Sequence, residues 1–269
     1  MRKIAFIGVG NMASAIIGGL LRCGAVDYAH LILSDKFPDK CAAYVQGGAV
    51  WAPSPAAAAK EADCVVLSVK PQNFPEILPE LASVAGIESK LIITIAAGIT
   101  VETVKTALRG APVVRVLPNT PMLIGQGVSV ICRAPDVSAE DFSFVRAMFE
   151  ASGTVQIIDE AEMNRIISVT SSSPAYIFAF IGAICEGANA QGLDGNALLN
   201  AVCDTVIGAA MLLKQDTLTP DEQIKRVTSK GGTTEQAMAV LTRRDMAGMI
   251  SEAMQACTKR ADDLSKKND

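Results

Sequence analysis

Short unbroken apolar runs alternate with amphipathic stretches over the first 158 residues, and the alternation then stops. The runs are Ile4-Ala5-Phe6-Ile7, Leu31-Ile32-Leu33, Cys64 to Val69, Leu91 to Ile95, Val113 to Leu117 and Val128 to Ile131, with Val50-Trp51-Ala52 as a short edge segment and Val155 to Ile158 last. Continuous apolar runs mark strands covered on both faces, and helices between them mark parallel pairing. Helical patterns fill the gaps at Met12–Cys23, Pro38–Gln46, Ser54–Glu61, Val101–Leu108 and Ala139–Ser152. Their ends carry the expected chemistry: Ser54-Pro55 and Thr100 at starts, Gly24 and Gly47-Gly48 at stops.

After Asp159 almost no strand signal remains. Helices are expected at Glu160–Thr170, Pro174–Gln191, Gly195–Lys214, Pro220–Val227, Thr234–Thr242 and Asp245–Lys266, broken at Gly192 to Gly195 and at Lys230-Gly231-Gly232. The pattern therefore gives an α/β domain over residues 1–158 and an all-α domain over residues 159–269.

The strand ends carry the candidate chemistry. Gly8-Val9-Gly10-Asn11-Met12-Ala13 follows the first strand and opens the first helix, the Rossmann-type arrangement for a dinucleotide. Gly8 suits the tight turn, Gly10 lets backbone approach a pyrophosphate, and Ala13 allows close packing. The phosphates would meet the positive end of the helix. Ile7, Gly8, Val9, Gly10, Asn11 and Met12 are thus candidate cofactor residues. At the end of the second strand, Asp35 suits a ribose hydroxyl pair and NADH, Lys36 suits the extra phosphate of NADPH, and Ser34 suits either. Further strand ends, Ser68-Val69-Lys70-Pro71, Ala96-Ala97-Gly98 and Asn119, fall on the same edge. In the helical half, Ser229-Lys230-Gly231-Gly232-Thr233-Thr234 offers amides and hydroxyls at a helix start. Such a group suits a carboxylate, and it equally suits a plain capped turn.

Composition narrows the classes. The chain has 269 residues, half of them hydrophobic, and a net charge of −4, which gives no basic face for nucleic acid. One histidine, His30, leaves no His-rich metal site or His-dependent triad, so no metal is expected. Seven cysteines without a C-x-x-C pair read as reduced, buried thiols. Met1-Arg2-Lys3 runs into an apolar strand too short for a signal core, and the apolar stretch Ala175–Ala190 is shorter than a membrane span. A cytoplasmic protein with no membrane partner is expected.

Six ordered segments resemble the pyrroline-5-carboxylate reductase family: Ile7 to Met12, Val69-Lys70-Pro71-Gln72, Ile95 to Gly98, Pro118-Asn119-Thr120-Pro121, Ser172 to Tyr176 and Thr228 to Thr234. The resemblance implies hydride transfer from NADPH or NADH to the imine carbon of 1-pyrroline-5-carboxylate. It implies that Thr234 is catalytic, bonding the ring nitrogen, while Ser229 and the Gly232 and Thr233 amides hold the carboxylate. Glu160 aligns loosely with an acidic substrate neighbour. The family pairs through its helical domain, so a homodimer, or a larger ring of dimers, is implied. Many members have Gly in place of Ser171 or Ser173 and Pro in place of Lys230; Asp35 is less usual among NADP-preferring members. Two other readings stay open, a related imine or hydroxy-acid oxidoreductase and a cofactor-binding regulatory paralogue. Hydroxy-acid members of the wider group need a helix lysine, and none lies between Ile166 and Gln191.

Overall fold

A computed structural model describes residues 1–268. The first half runs β1 (Ile4–Ile7), α1 (Asn11–Arg22), β2 (Leu31–Ser34), α2 (Ala42–Gln46), β3 (Val50–Trp51), α3 (Pro55–Glu61) and β4 (Cys64–Leu67). It continues with α4 (Phe74–Ala82), β5 (Leu91–Thr94), α5 (Val101–Ala107), β6 (Val113–Leu117), β7 (Gly127–Arg133), α6 (Ala139–Glu150) and β8 (Gly153–Ile157). The strands form one sheet in the order β3-β2-β1-β4-β5-β6-β7-β8. Every residue of β1, β2, β4, β5 and β6 is buried, as continuous apolar runs require. The expected caps at Ser54 and Thr100 are present, accepting from the Ala57 and Thr103 N–H groups, and Ser138 caps α6 in the same way, accepting from the Asp141 N–H. Each such cap contributes about 1 kcal/mol.

Two features differ from the sequence reading. β7 pairs antiparallel with β6. Residues 118–126 alone connect them, fewer than the dozen or so that a parallel crossover needs. The second is α4, which the sequence pattern did not reveal. Pro75 and Pro79 disguise it, yet Pro75 occupies the first turn, where a missing N–H is harmless, and the helix buries Phe74, Leu78 and Leu81. Tertiary burial overrides the local signal here.

The helical half holds α7 (Met163–Ile166), α8 (Ser173–Ala190), α9 (Leu199–Gln215), α10 (Pro220–Val227), α11 (Thr233–Arg243) and α12 (Met246–Asn268). A π-helical turn, Ile167–Ser171, joins α7 to α8. The resulting run Glu160–Ala190 is long and apolar enough to cross a membrane by length and composition, and its most apolar 18-residue window has a mean hydropathy of 1.4. The apolar stretch Ala175–Ala190 is shorter than a span when taken alone; the π-helical turn is what makes it continuous with the helix before it.

Contacts gather the chain into two compact units, Met1–Pro174 with the chain from Ala256 onward, and Ala175–Gln255. These bounds differ from a cut at 158/159 because residues 159–174 pack on the sheet. Met163, Ile167 and Ala261 share a small apolar cluster with Leu117 of β6 and Val130 and Cys132 of β7. Polar contacts fasten the same segment. Arg115, fully buried on β6, bonds Asn164, whose amide donates to Asp262 and Ser265 of α12. All seven cysteines are free thiols, but only Cys41, Cys64 and Cys132 are buried. Burial pushes the Cys132 thiol up to about 11, and Glu160 adds to the rise; burial raises Cys64 further still, with Asp141 and Asp63 adding to it and Arg2 opposing.

Gly98 lies where α12 returns to the sheet. Its φ is +73°, and a Cβ there would stand 2.6 Å from Leu264 Cβ. Gly98→Ala is expected to destabilise the protein by about 1–3 kcal/mol, read as a lower urea midpoint at unchanged slope. A change below about 0.5 kcal/mol would show that α12 is not seated on this glycine.

Candidate cofactor cleft and the glycine–threonine loop

Strand register builds the cofactor site. Ile7 of β1 stands level with Ser34 of β2 and with Leu67 of β4. The residues after them, Gly8, Asp35 and Ser68, therefore emerge side by side at one edge of the sheet. Gly8 turns the chain with φ +93°, and its N–H donates to the Ser34 carbonyl at 2.7 Å. A Cβ on Gly8 would meet Val69 Cγ1 at 2.7 Å and the Ser68 carbonyl oxygen at 3.0 Å, so conformation and space both require glycine.

Neighbours hold this turn from both sides. The Ser68 hydroxyl donates to the Gly8 carbonyl at 2.7 Å, and Asp35 Oδ2 accepts the Val9 N–H at 2.7 Å. Asp35 Oδ1 accepts the Phe37 N–H at 2.8 Å and lies 3.3 Å from Lys40 Nζ. Gly10 is the residue that caps α1, and a Cβ built on it would meet nothing within 4 Å.

A cleft of about 550 Å³ opens over this edge. Of the expected cofactor residues, it gathers Ile7, Gly8, Gly10, Ser34, Asp35, Lys36, Ser68, Val69 and Lys70. Val9 is buried beneath the turn, while Asn11 and Met12 form the first residues of α1. The cleft also takes in Phe37, Lys40, Pro53 and Asn73, which sequence reasoning missed. Lys40 had a visible signal, a second lysine shortly after Lys36 and the strand end; Pro53 had none, because it arrives from the β3–α3 connection.

The other expected residues lie elsewhere. Pro71 opens a short 3-10 turn after Lys70 and does not line the cleft. Ala96 is buried, Ala97 packs on the small cluster of Met163 and Ile167, and Gly98 backs onto Leu264. The Asn119 amide is committed at both ends: it donates to the Thr170 carbonyl at 3.0 Å and accepts the Val128 N–H at 2.8 Å. Asn119 thereby ties the π-helical turn to the start of β7. A π turn shifts the hydrogen-bond ladder, so a side-chain partner for one of its carbonyls supports it. Glu160 Oε1 accepts the Val101 N–H at 2.6 Å and faces Arg115 at 3.4 Å. It lines a separate groove of about 810 Å³ between α4 and α5.

In the other unit, the loop before α11 is ordered by its own contacts. The Gly232 N–H donates to the Ser229 carbonyl at 2.9 Å, and Glu235 Oε2 accepts the Gly231 N–H at 2.8 Å. The Gly232 amide expected to hold a carboxylate is thus engaged within the turn. Gly232 itself caps α11, with Thr233 first in the helix and exposed, and Thr234 next and half-buried. Helix geometry leaves the first-turn amides of Thr233 and Thr234 without intrahelical acceptors. Ser229 and Lys230 are exposed.

A dinucleotide fits the first site. The cleft has ordinary ligand dimensions, a helix N-terminus faces it, and the space beside Gly10 is what a pyrophosphate would use. Gly8, Gly10 and the first amides of α1 would hold the phosphates, with Ser34 and Lys36 toward the adenosine end. Bound there, a nicotinamide cofactor supplies a hydride.

Family models match both halves of the chain. One described as pyrroline-5-carboxylate reductase dimerisation matches residues 160–264, and one described as NADP oxidoreductase, coenzyme F420-dependent, matches residues 3–98. The chain is 33% identical over 267 residues to the pyrroline-5-carboxylate reductase of Escherichia coli (strain K12), covering 98% of this chain and 99% of that one. Among solved structures, a pyrroline-5-carboxylate reductase from Coxiella burnetii is 30% identical, with a TM-score of 0.87 and 98% of each chain covered. The fold is shared with a Plasmodium falciparum pyrroline carboxylate reductase with NADP bound, at a TM-score of 0.89, 23% identity and 98% of each chain.

The two glycines of the turn should separate folding from binding. Gly8→Ala is expected to lower stability by roughly 1–3 kcal/mol. Gly10→Ala should leave the unfolding midpoint within about 0.5 kcal/mol of wild type and weaken NADPH binding about tenfold or more, measured by equilibrium titration. Wild-type NADPH affinity in Gly10→Ala would remove the phosphates from this turn.

Proposed function

Because the chain belongs to the pyrroline-5-carboxylate reductase family, we propose that it reduces 1-pyrroline-5-carboxylate to L-proline with NADPH or NADH, the closing step of proline biosynthesis. The observation that carries this reading is the match to the Escherichia coli enzyme from end to end. Both the dinucleotide turn and the helical half fall within that single relationship.

The chemistry asks little of acid–base groups. A cyclic imine accepts a hydride at carbon and a proton at nitrogen, and the proton is available from solvent or from a hydroxyl. Thr234 is assigned to the ring nitrogen through its hydroxyl. Thr233, by its backbone amide, and Ser229 are assigned to the carboxylate, at the positive end of α11. Rate enhancement then rests on holding donor and acceptor in register, which accounts for a chain with one histidine. The engaged Gly232 amide supports the loop shape that presents its neighbours. Glu160 is assigned to the support of α5 and Arg115, which its two partners favour over substrate contact.

Residues 159–269 are assigned to substrate binding and dimerisation. α8 and α9 have no buried residue, and Phe178 is 65% exposed. A second copy is assigned to these apolar faces, in keeping with the dimerisation model that matches the region. That assignment favours a subunit seam over a membrane span for residues 160–190. Larger assemblies of dimers, and a cytoplasmic location consistent with seven free thiols, complete the proposal.

Cofactor oxidation measured with 1-pyrroline-5-carboxylate tests the reading directly. Turnover is expected, and none with either NADPH or NADH would sink it. Thr234→Ala is expected to lower kcat by about 10- to 100-fold while NADPH affinity stays within about twofold. A large loss of cofactor binding in that variant would contradict the division of roles.

A further inference from the structure

At the end of the second strand, an acidic residue in a dinucleotide fold conventionally offers its carboxylate to the ribose hydroxyls. Asp35 stands at that position, but its oxygens are directed elsewhere. Oδ2 accepts the Val9 N–H at 2.7 Å, and Oδ1 accepts the Phe37 N–H at 2.8 Å with Lys40 Nζ at 3.3 Å. The side chain is only 8% exposed. An ionised carboxylate is purely an acceptor, and here both oxygens are matched to donors of the protein. Val9 lies between Gly8 and Gly10, so fixing its amide fixes the phosphate-binding turn itself. The bond to Phe37 bends the chain after β2, an Asx turn that orients the carboxylate toward β1.

We propose that Asp35 is a positioning residue for the phosphate-binding turn, acting equally on NADH and NADPH, and not a reader of the ribose. This rests on the assignment of a nicotinamide cofactor to the Gly8–Met12 turn. The Ser68 hydroxyl on the Gly8 carbonyl and Asp35 on the Val9 N–H grip the two ends of a single peptide group, the one that joins Gly8 to Val9. A residue that reads ribose would act on one cofactor more than the other. One that shapes the pyrophosphate cradle acts on the part the two share.

The test compares wild type with Asp35→Ser and Asp35→Asn, full-length, by equilibrium binding of NADH and of NADPH and by amide hydrogen exchange at Val9. Asp35→Ser is expected to weaken both cofactors by a similar factor, about five- to tenfold, with their ratio held within about twofold. Exchange at Val9 should speed up by about tenfold or more. kcat at saturating cofactor should stay near wild type, a split that general loss of structure would not produce. Asp35→Asn keeps one carbonyl oxygen, so it should fall between the two, and it carries the test if the serine variant does not fold. Weakening of NADH alone, with preference moving about tenfold toward NADPH, would restore the ribose role and overturn the proposal. Unchanged affinity for both would overturn it as well. A wild type that binds neither cofactor would remove the cofactor assignment and this proposal together. A selective shift in the variant removes this proposal only.

Discussion

The level ending of three neighbouring strands is the constraint on which the cofactor cleft depends. Parallel pairing sets Ile7 beside Ser34 and Leu67, so the next residues of all three strands meet at one edge. Gly8 can then turn without a side chain, and the peptide group that follows it is gripped at its carbonyl by Ser68 and at its N–H by Asp35. A slip of one residue in either pairing would exchange the side chains packed on the two covered faces, and close packing on both sides resists that. Packing of the sheet and shape of the turn are therefore one problem with one solution.

A second junction fastens the start of the helical half to the sheet. Arg115 is a buried cation in an apolar strand, a placement tolerated only with partners. Asn164 and Glu160 supply them, and Asn164 passes the connection on to Asp262 and Ser265 near the end of the chain. Asn119 performs a related task on the other side of the cluster, bridging β7 and the π turn. The apparent functional strand ends at Ala97, Gly98 and Asn119 thus have packing reasons that stand independently of any ligand.

The helical half shows the reverse balance. α8 and α9 leave Phe178, Ile207, Met211 and Leu212 exposed, more apolar surface than an isolated monomer carries comfortably. Sequence periodicity identifies these helices but not what covers their apolar faces. The absence of any buried residue on them favours the interface.

The sequence by itself determined the two-part organisation, the strand segments, most helix starts and the glycine turn, because those depend on local periodicity and capping chemistry. The six ordered segments also brought out the family. It left β7 direction and α4 unread: one depends on the length of a connection, the other on burial that outweighs two prolines. Most of all, it could name Asp35, Asn119 and Glu160 as polar residues at the right places, but not where their oxygens point. Only the tertiary structure decided that, because a hydrogen bond between Asp35 and Val9, or between Asn119 and Thr170, joins residues distant in sequence. Their meeting is set by strand register and helix docking, which no local pattern encodes.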